Sequence, residues 1–389
     1  MHTESSVLLP VACFLNMSGV GSLYATSVIA SEMPRLLRIS PTYAHAPFAF
    51  ACCGLSFGVL ACPHIIRVAG ASRSMSVGTI AWGLAVFSLS HGLSTASLGL
   101  LLAIFAVGGI GVGVTYLAVV VAVSRSLAHQ PLAKSVIGPI GFSLGTAASI
   151  LLAKSYSLET LDVTRASALL SYTGAIITFV GVSTILVLPG KTANGATGND
   201  SPGKAGKALS VEKTWSALLF TNALCGMTVF SNLIPLTTRL SAGIAMAPHH
   251  ALAASLLALA AGGIFAPYLH SRLGPNLTFS SLFLLRGAAL IVSSQLQSAA
   301  LRIVTVAVIF FGHGAGFSIM PALIKSRCRD DQEFIATYSR VLFWWGFAGV
   351  FGSVVSGILA SVDKGDESLL LLLGTFMLAA SYSVHRAII

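Results

Sequence analysis

From Leu98 to Val123 the chain runs for 26 residues without a charged side chain or a proline, and its apolar residues do not alternate with polar ones. A helix needs about 20 mainly apolar residues to cross a hydrocarbon core about 30 Å thick. Inside lipid the backbone must satisfy its own hydrogen bonds, so only helices and closed barrels span. A barrel strand would alternate at period two, which this stretch does not, so it is predicted to be a membrane helix.

The same pattern recurs along the chain. Spans are predicted at 7–30, 44–62, 75–96, 98–123, 135–155, 166–189, 214–238, 248–269, 276–297, 300–324, 334–361 and 367–387. Composition agrees: 55% of residues are hydrophobic and 9% charged, against about 25% charged in a soluble domain. So few charges cannot build a water-facing shell. The fold class that follows is an all-α polytopic membrane protein with twelve transmembrane helices in two six-helix bundles, its outer surface facing the lipid bilayer.

Gly190 to Lys213 is the one long polar connection, rich in Gly, Ser, Thr and Asn. It divides the chain into an N-terminal bundle (1–189), a linker (190–213) and a C-terminal bundle (214–389). The bundles read as a repeat. Pro63-His-Ile-Ile-Arg-Val-Ala-Gly70 follows the second span, and Pro267-Tyr-Leu-His-Ser-Arg-Leu-Gly274 follows the eighth, 204 positions later. Gly109, Gly111 and Gly113 in the fourth span answer Gly312, Gly314 and Gly316 in the tenth at an offset of 203. Parallel six-helix repeats are one way transporters are built.

With both termini and the linker on one side, that side holds thirteen of the 22 Lys and Arg residues and the other holds seven. The richer side is expected to be cytoplasmic. The formal charge of +10 is spread over short loops, so no nucleic-acid face is expected. Cys13, Cys52, Cys53, Cys62, Cys225 and Cys328 show neither zinc-type spacing nor a disulfide framework. No metal and no cofactor is expected. MHTESS lacks the basic segment of a signal peptide, so the apolar run from Val7 reads as the first membrane helix.

Gly19, Gly21 and Tyr24 in NMSGVGSLYATSV, the segment GGIGVGVTYLAVVVAVSR, and the pair FGHGAGFSIMPALIKS and ATYSRVLFWWGFAGVFGSVVSGILA resemble the major facilitator superfamily, within it the oxalate/formate antiporter and monocarboxylate transporter branch. The resemblance implies alternating access around a midplane solute site, and a monocarboxylate or other organic anion as solute. Gating loops map to Arg67, Gly70, Arg73, Arg272 and Gly274, although the acid of the superfamily's Asp-Arg-x-Gly-Arg pattern is missing from both. The branch's carboxylate-gripping arginine and lysine fall at Gly263 and Trp345, which cannot hold an anion electrostatically.

An ionisable group at mid-membrane costs at least about 2.5–3.5 kcal/mol, so each needs a reason. Apart from Glu367, the first residue of the twelfth, no Asp or Glu lies in a predicted span, which favours facilitated diffusion or exchange over ion-coupled uphill transport. His313 can bind solute or relay protons, or simply pack against a neighbouring helix. Arg340 can pair with a carboxylate or snorkel to the interface. Arg286 lies near the middle of the ninth span, where the resemblance implies a structural role more than a solute contact. Asn16, Tyr24, Tyr116, Asn222 and Asn232 can each meet solute or bond across helices. Of Trp344 and Trp345, set about 100° apart, at most one should face a cavity.

The glycines of GGIGVG lie inside an apolar helix and so favour close packing over a phosphate cradle. No catalytic constellation is visible, so no enzyme is expected. The solute is expected to be the principal partner, of a monomer or an unspecified oligomer. The alternative is a membrane sensor or assembly protein that retains the fold without transporting.

Overall fold

The computed structural model describes residues 4–126, 131–155, 163–188, 205–232, 248–295, 299–359 and 365–386. They form α1 (Glu4–Leu37), a short 3-10 turn at Pro41–His45, α2 (Ala46–Ala69), α3 (Ala71–Ser94), α4 (Leu98–Ser126), α5 (Pro131–Ser155), α6 (Val163–Val187) and α7 (Ala205–Ser231). The run Pro248–Gln295 breaks at Gly274, where φ is +73°, into α8 (248–273) and α9 (275–295). Then follow α10 (Ala299–Lys325), α11 (Asp331–Leu359) and α12 (Gly365–Arg386).

Nine helical stretches among the described residues are long and apolar enough to cross a membrane, and one of them, Ser255–Gln295, has 41 residues. At about 1.5 Å per residue that is enough for two crossings. Phe57, Phe179 and Leu186 are among the large apolar side chains left outside, as a lipid-facing surface allows.

Several boundaries move. α1 continues past the expected end at Ala30 to Leu37, which places Glu32 on a helix, five residues before its end. α7 begins at Ala205, inside the expected linker, because Ala205 to Lys213 holds good helix formers and no proline. Residues 190–204 and 233–238 lie outside the described residues.

The repeat seen in sequence has a structural counterpart. Gly70 and Gly274 both take left-handed φ values, +79° and +73°, which side chains with a Cβ rarely adopt. Ser74 Oγ donates to the Gly70 carbonyl and Thr278 Oγ1 to the Gly274 carbonyl, each at 2.7 Å. A Cβ on Gly58 would overlap the Ile110 backbone of α4, and one on Gly262 the Phe311 backbone of α10. Glycine is what lets α2 meet α4, and α8 meet α10, backbone to backbone, as small residues do in membrane helix pairs.

Trp82 and Arg286, 204 positions apart, lie under Gly108 and Gly312, also 204 apart. Trp82 Nε1 donates to Ser22 Oγ of α1 at 2.8 Å. Arg286 donates to Asn222 of α7 at 2.9 Å. One repeat fills this position with an indole, the other with a guanidinium.

The halves meet where α2 packs on α11 and α5 on α8. Ser56 Oγ donates to the Phe343 carbonyl at 3.0 Å across that boundary.

Candidate functional site

The middle of the contact between the halves is aromatic. Tyr24 of α1 lies 4.8 Å from Phe142 of α5 and 3.9 Å from Phe230 of α7, measured between ring centroids. Trp345 of α11 lies 4.7 Å from Tyr116 of α4 and 5.0 Å from Phe317 of α10. A chamber of about 20 Å³ lies among Tyr24, Tyr116, Phe142, His313, Phe317 and Trp345. A larger cavity of about 140 Å³ adjoins it through Tyr116, Pro139 and Phe317. It runs between α4, α5 and α10 towards Ser124 and Ala322, the face of the protein that carries the termini.

A hydrogen-bonded chain crosses the chamber wall. Trp345 Nε1 donates to Tyr24 Oη at 3.1 Å, and Tyr24 Oη lies 3.1 Å from His313 Nε2. Indole nitrogen only donates, so Tyr24 Oη accepts there, and Tyr24 and His313 share one hydrogen bond whose direction follows the imidazole tautomer. Behind His313, Asn222 Nδ2 donates to the His313 carbonyl at 3.1 Å. Arg286 Nη1 and Nη2 donate to the Asn222 side-chain oxygen and carbonyl, each at 2.9 Å. Arg286 is fully buried, and no described carboxylate pairs with it. Arg286 does not line the chamber: its aliphatic stem packs at Gly312 and its terminal nitrogens rest on Asn222.

Polar contacts tie the halves on both sides of this centre. On the terminal face, Arg125 Nε at the end of α4 bonds Asp331 Oδ2 at the start of α11 at 3.0 Å, and Lys325 bonds the other oxygen of Asp331. On the opposite face, His45 Nδ1 lies 2.9 Å from Ser231 Oγ.

The residues singled out in the sequence fall into three groups. Tyr24, Tyr116, His313 and Trp345 line the chamber. Trp344, next to Trp345, turns away to pack on Phe220, Phe343 and Phe347. Asn16, Asn222 and Asn232 do not line the chamber. Asn16 donates to Thr184 Oγ1 of α6 at 2.8 Å, and Asn232 to Ser356 Oγ of α11 at 2.6 Å. Arg340 is away from it altogether: its side chain is 51% exposed and grips Glu212 of α7 through Nε at 2.7 Å and Nη2 at 2.8 Å. The extension of α7 supplies that partner, so the guanidinium is neutralised at the surface.

In the expected gating loops, Arg67 donates to His64 at 3.0 Å and Arg272 covers the Tyr268 ring at 5.3 Å. Arg73 is exposed. Gly263, where the resembled branch carries an arginine, presses on Pro139 of α5, so a long side chain has no room there. Phe142, Phe317, Phe230 and Pro139 are the site residues that sequence reasoning missed. Nothing in an apolar span distinguishes an aromatic ring facing a chamber from one facing a core.

No family model and no curated protein sequence matches this chain. Solved structures do. A point mutant of the nucleoside transporter NupG is similar with a TM-score of 0.68 and 14% identity, over 97% of this chain and 98% of that one. The E. coli fucose:proton symporter FucP is similar with a TM-score of 0.67 and 12% identity, over 99% of each chain. Identity this low speaks to the fold, and the fold of this chain is that of the major facilitator transporters.

Proposed function

We propose that this protein is a secondary carrier that moves a small organic solute across a membrane by alternating access, as a facilitator or exchanger, with its termini in the cytoplasm. One observation carries the reading. A chamber lies between two repeat-related halves, is lined by both of them, and has breakable polar contacts between the halves on either side. Rocking of one half against the other would break one set while keeping the other. The lining of aromatic rings, two phenol hydroxyls and one imidazole suits the binding of a solute, so solute movement fits the site better than chemistry.

The monocarboxylate class implied by the resemblance has weak support at the chamber itself. Among the described residues its lining holds no Lys or Arg, and Arg340 is engaged at the surface. The gating-loop arginines Arg67 and Arg272 bond within their own loops, which supports the second reading, a sensor that binds solute without moving it.

Paired spin labels test the carrier reading without any knowledge of the solute. One pair replaces Ser126 and Gln332 on the terminal face, the other Tyr43 and Ile358 on the opposite face, in a cysteine-substituted protein in nanodiscs. A carrier gives two populations on each face, long on one where short on the other. A single fixed distance on both faces would exclude alternating access and leave the sensor reading.

A further inference from the structure

The chamber wall is unusual in what it omits. Among the described residues lining the chamber and its adjoining cavity there is no Asp, Glu, Lys or Arg. What remains is aromatic faces, three groups able to hydrogen-bond at the centre (Tyr24, Tyr116, His313) and the Trp345 indole. The rings meet at steep angles: 71° for Tyr24 with Phe142, 79° for Tyr116 with Phe317 and 67° for Phe317 with Trp345. An edge-to-face pair occupies the face of one ring and leaves both faces of the other for a guest.

We propose that the chamber and its adjoining cavity together bind an uncharged solute with a flat, ring-sized face and a hydrogen-bonding edge, a class that rests on the carrier reading above. An aromatic cage alone would also accept a cation over its ring faces. The buried guanidinium of Arg286 argues against that. It is held behind His313 by Asn222 and paired with no described carboxylate. A like charge buried behind the chamber wall, with little water to screen it, opposes a bound cation. An anion gains from the same field but must give up its water to negative ring faces. It reaches no guanidinium donor, because Arg286 is not among the residues that line either volume. A neutral flat solute avoids both costs. It lies against Phe317 in the larger cavity while its polar edge turns towards Tyr116, a residue that borders both volumes.

The test uses four probes of similar size: nicotinamide, neutral and flat; nicotinate, an anion; 1-methylnicotinamide, a cation; and cyclohexanecarboxamide, neutral but not flat. Binding is read by thermal stabilisation of the purified full chain, and uptake by proteoliposomes. The expected result is that nicotinamide binds at least about tenfold more tightly than each of the others. Tyr116→Phe, which keeps the ring, should weaken it severalfold, measured against that variant's own unliganded melting temperature. Trp345→Phe should weaken it as well. Tighter binding of nicotinate or of the methylated cation overturns the class, as does equal binding of the non-flat amide or binding of none of the four. The spin-label distances need no solute, so they decide the carrier reading separately.

Discussion

The buried pair Arg286–Asn222 makes a quantitative demand on stability. Asn222→Leu is close to isosteric, so Gly316, which touches the Asn222 side chain, need not move. The substitution removes the oxygen that accepts from Arg286 Nη1 and leaves a fully buried guanidinium short of a partner. Stranding a buried charge in this way costs about 3–5 kcal/mol. Arg286→Met does something smaller. It leaves the Asn222 side-chain oxygen unsatisfied, at about 1–3 kcal/mol, but removes the charge whose desolvation opposed folding. The Asn222 backbone carbonyl still has its helical partner. Replacing both partners by apolar groups of similar shape is close to neutral, so the double variant should recover most of the loss. The expected order is Asn222→Leu worst, Arg286→Met milder and the pair within about 1 kcal/mol of the parent, a coupling of about 3 kcal/mol. Reversible unfolding by SDS in mixed micelles measures all four proteins. Additive losses, or Arg286→Met as costly as Asn222→Leu, would refute the account of Arg286 as a charge held chiefly by Asn222.

Arg340→Ala should cost no more than about 1 kcal/mol, since the guanidinium is half exposed and its bond to Glu212 is screened by water; solute binding should be unchanged, and a loss of binding would return Arg340 to the site. Gly262→Ala should destabilise by about 2 kcal/mol or more, because the new methyl meets the Phe311 carbonyl; Gly99→Ala, with nothing nearby, should be neutral in the same unfolding assay. Asp331→Asn weakens the contacts to Arg125 and Lys325, so alkylation of the half-buried Cys328 beside them should quicken severalfold, and an unchanged rate would mean these contacts do not hold the terminal face shut. Tyr24→Phe deprives the Trp345 indole of its acceptor and should cost about 1–3 kcal/mol, read in the same micelle titration.

Glycine was the most legible residue in this sequence. The offset of 204 between Gly70 and Gly274 follows from a shared backbone need, a left-handed φ at the same turn. Because that need restricts residue type so strongly, it leaves a mark that sequence alone preserves. Close helix contacts do the same: at Gly54 and Gly58 a Cβ would run into the α4 backbone, so small residues persist. Helix ends were less legible. α7 starts nine residues before Thr214, because Gly206, Lys207 and Ser210 read as loop in a window although the helix tolerates them. The chamber was half legible. Polar residues in apolar spans were candidates by cost alone, but that cost is met equally by a bond to another helix, and Asn16 and Asn232 take that course. Aromatic residues carry no such cost, so Phe142 and Phe317 gave no signal.

Arg286 shows what the repeat adds. Read alone, an arginine in the ninth span is either a ligand or an accident of packing. Set against Trp82, it occupies a position whose shape is fixed by a glycine on the next helix and whose task is to bond the first helix of its own half. Trp82 does this with one neutral donor to Ser22; Arg286 does it with two donors to Asn222. The fold therefore has no need of a charge at this point, since the other half manages without one. What the charge adds is a field on one side of an otherwise uncharged chamber. That asymmetry bears on solute choice in a way that helix packing alone does not. Arg286→Met in the double variant keeps the packing and removes the field, so it should narrow the expected gap between nicotinamide and the methylated cation while leaving the gap to the non-flat amide in place.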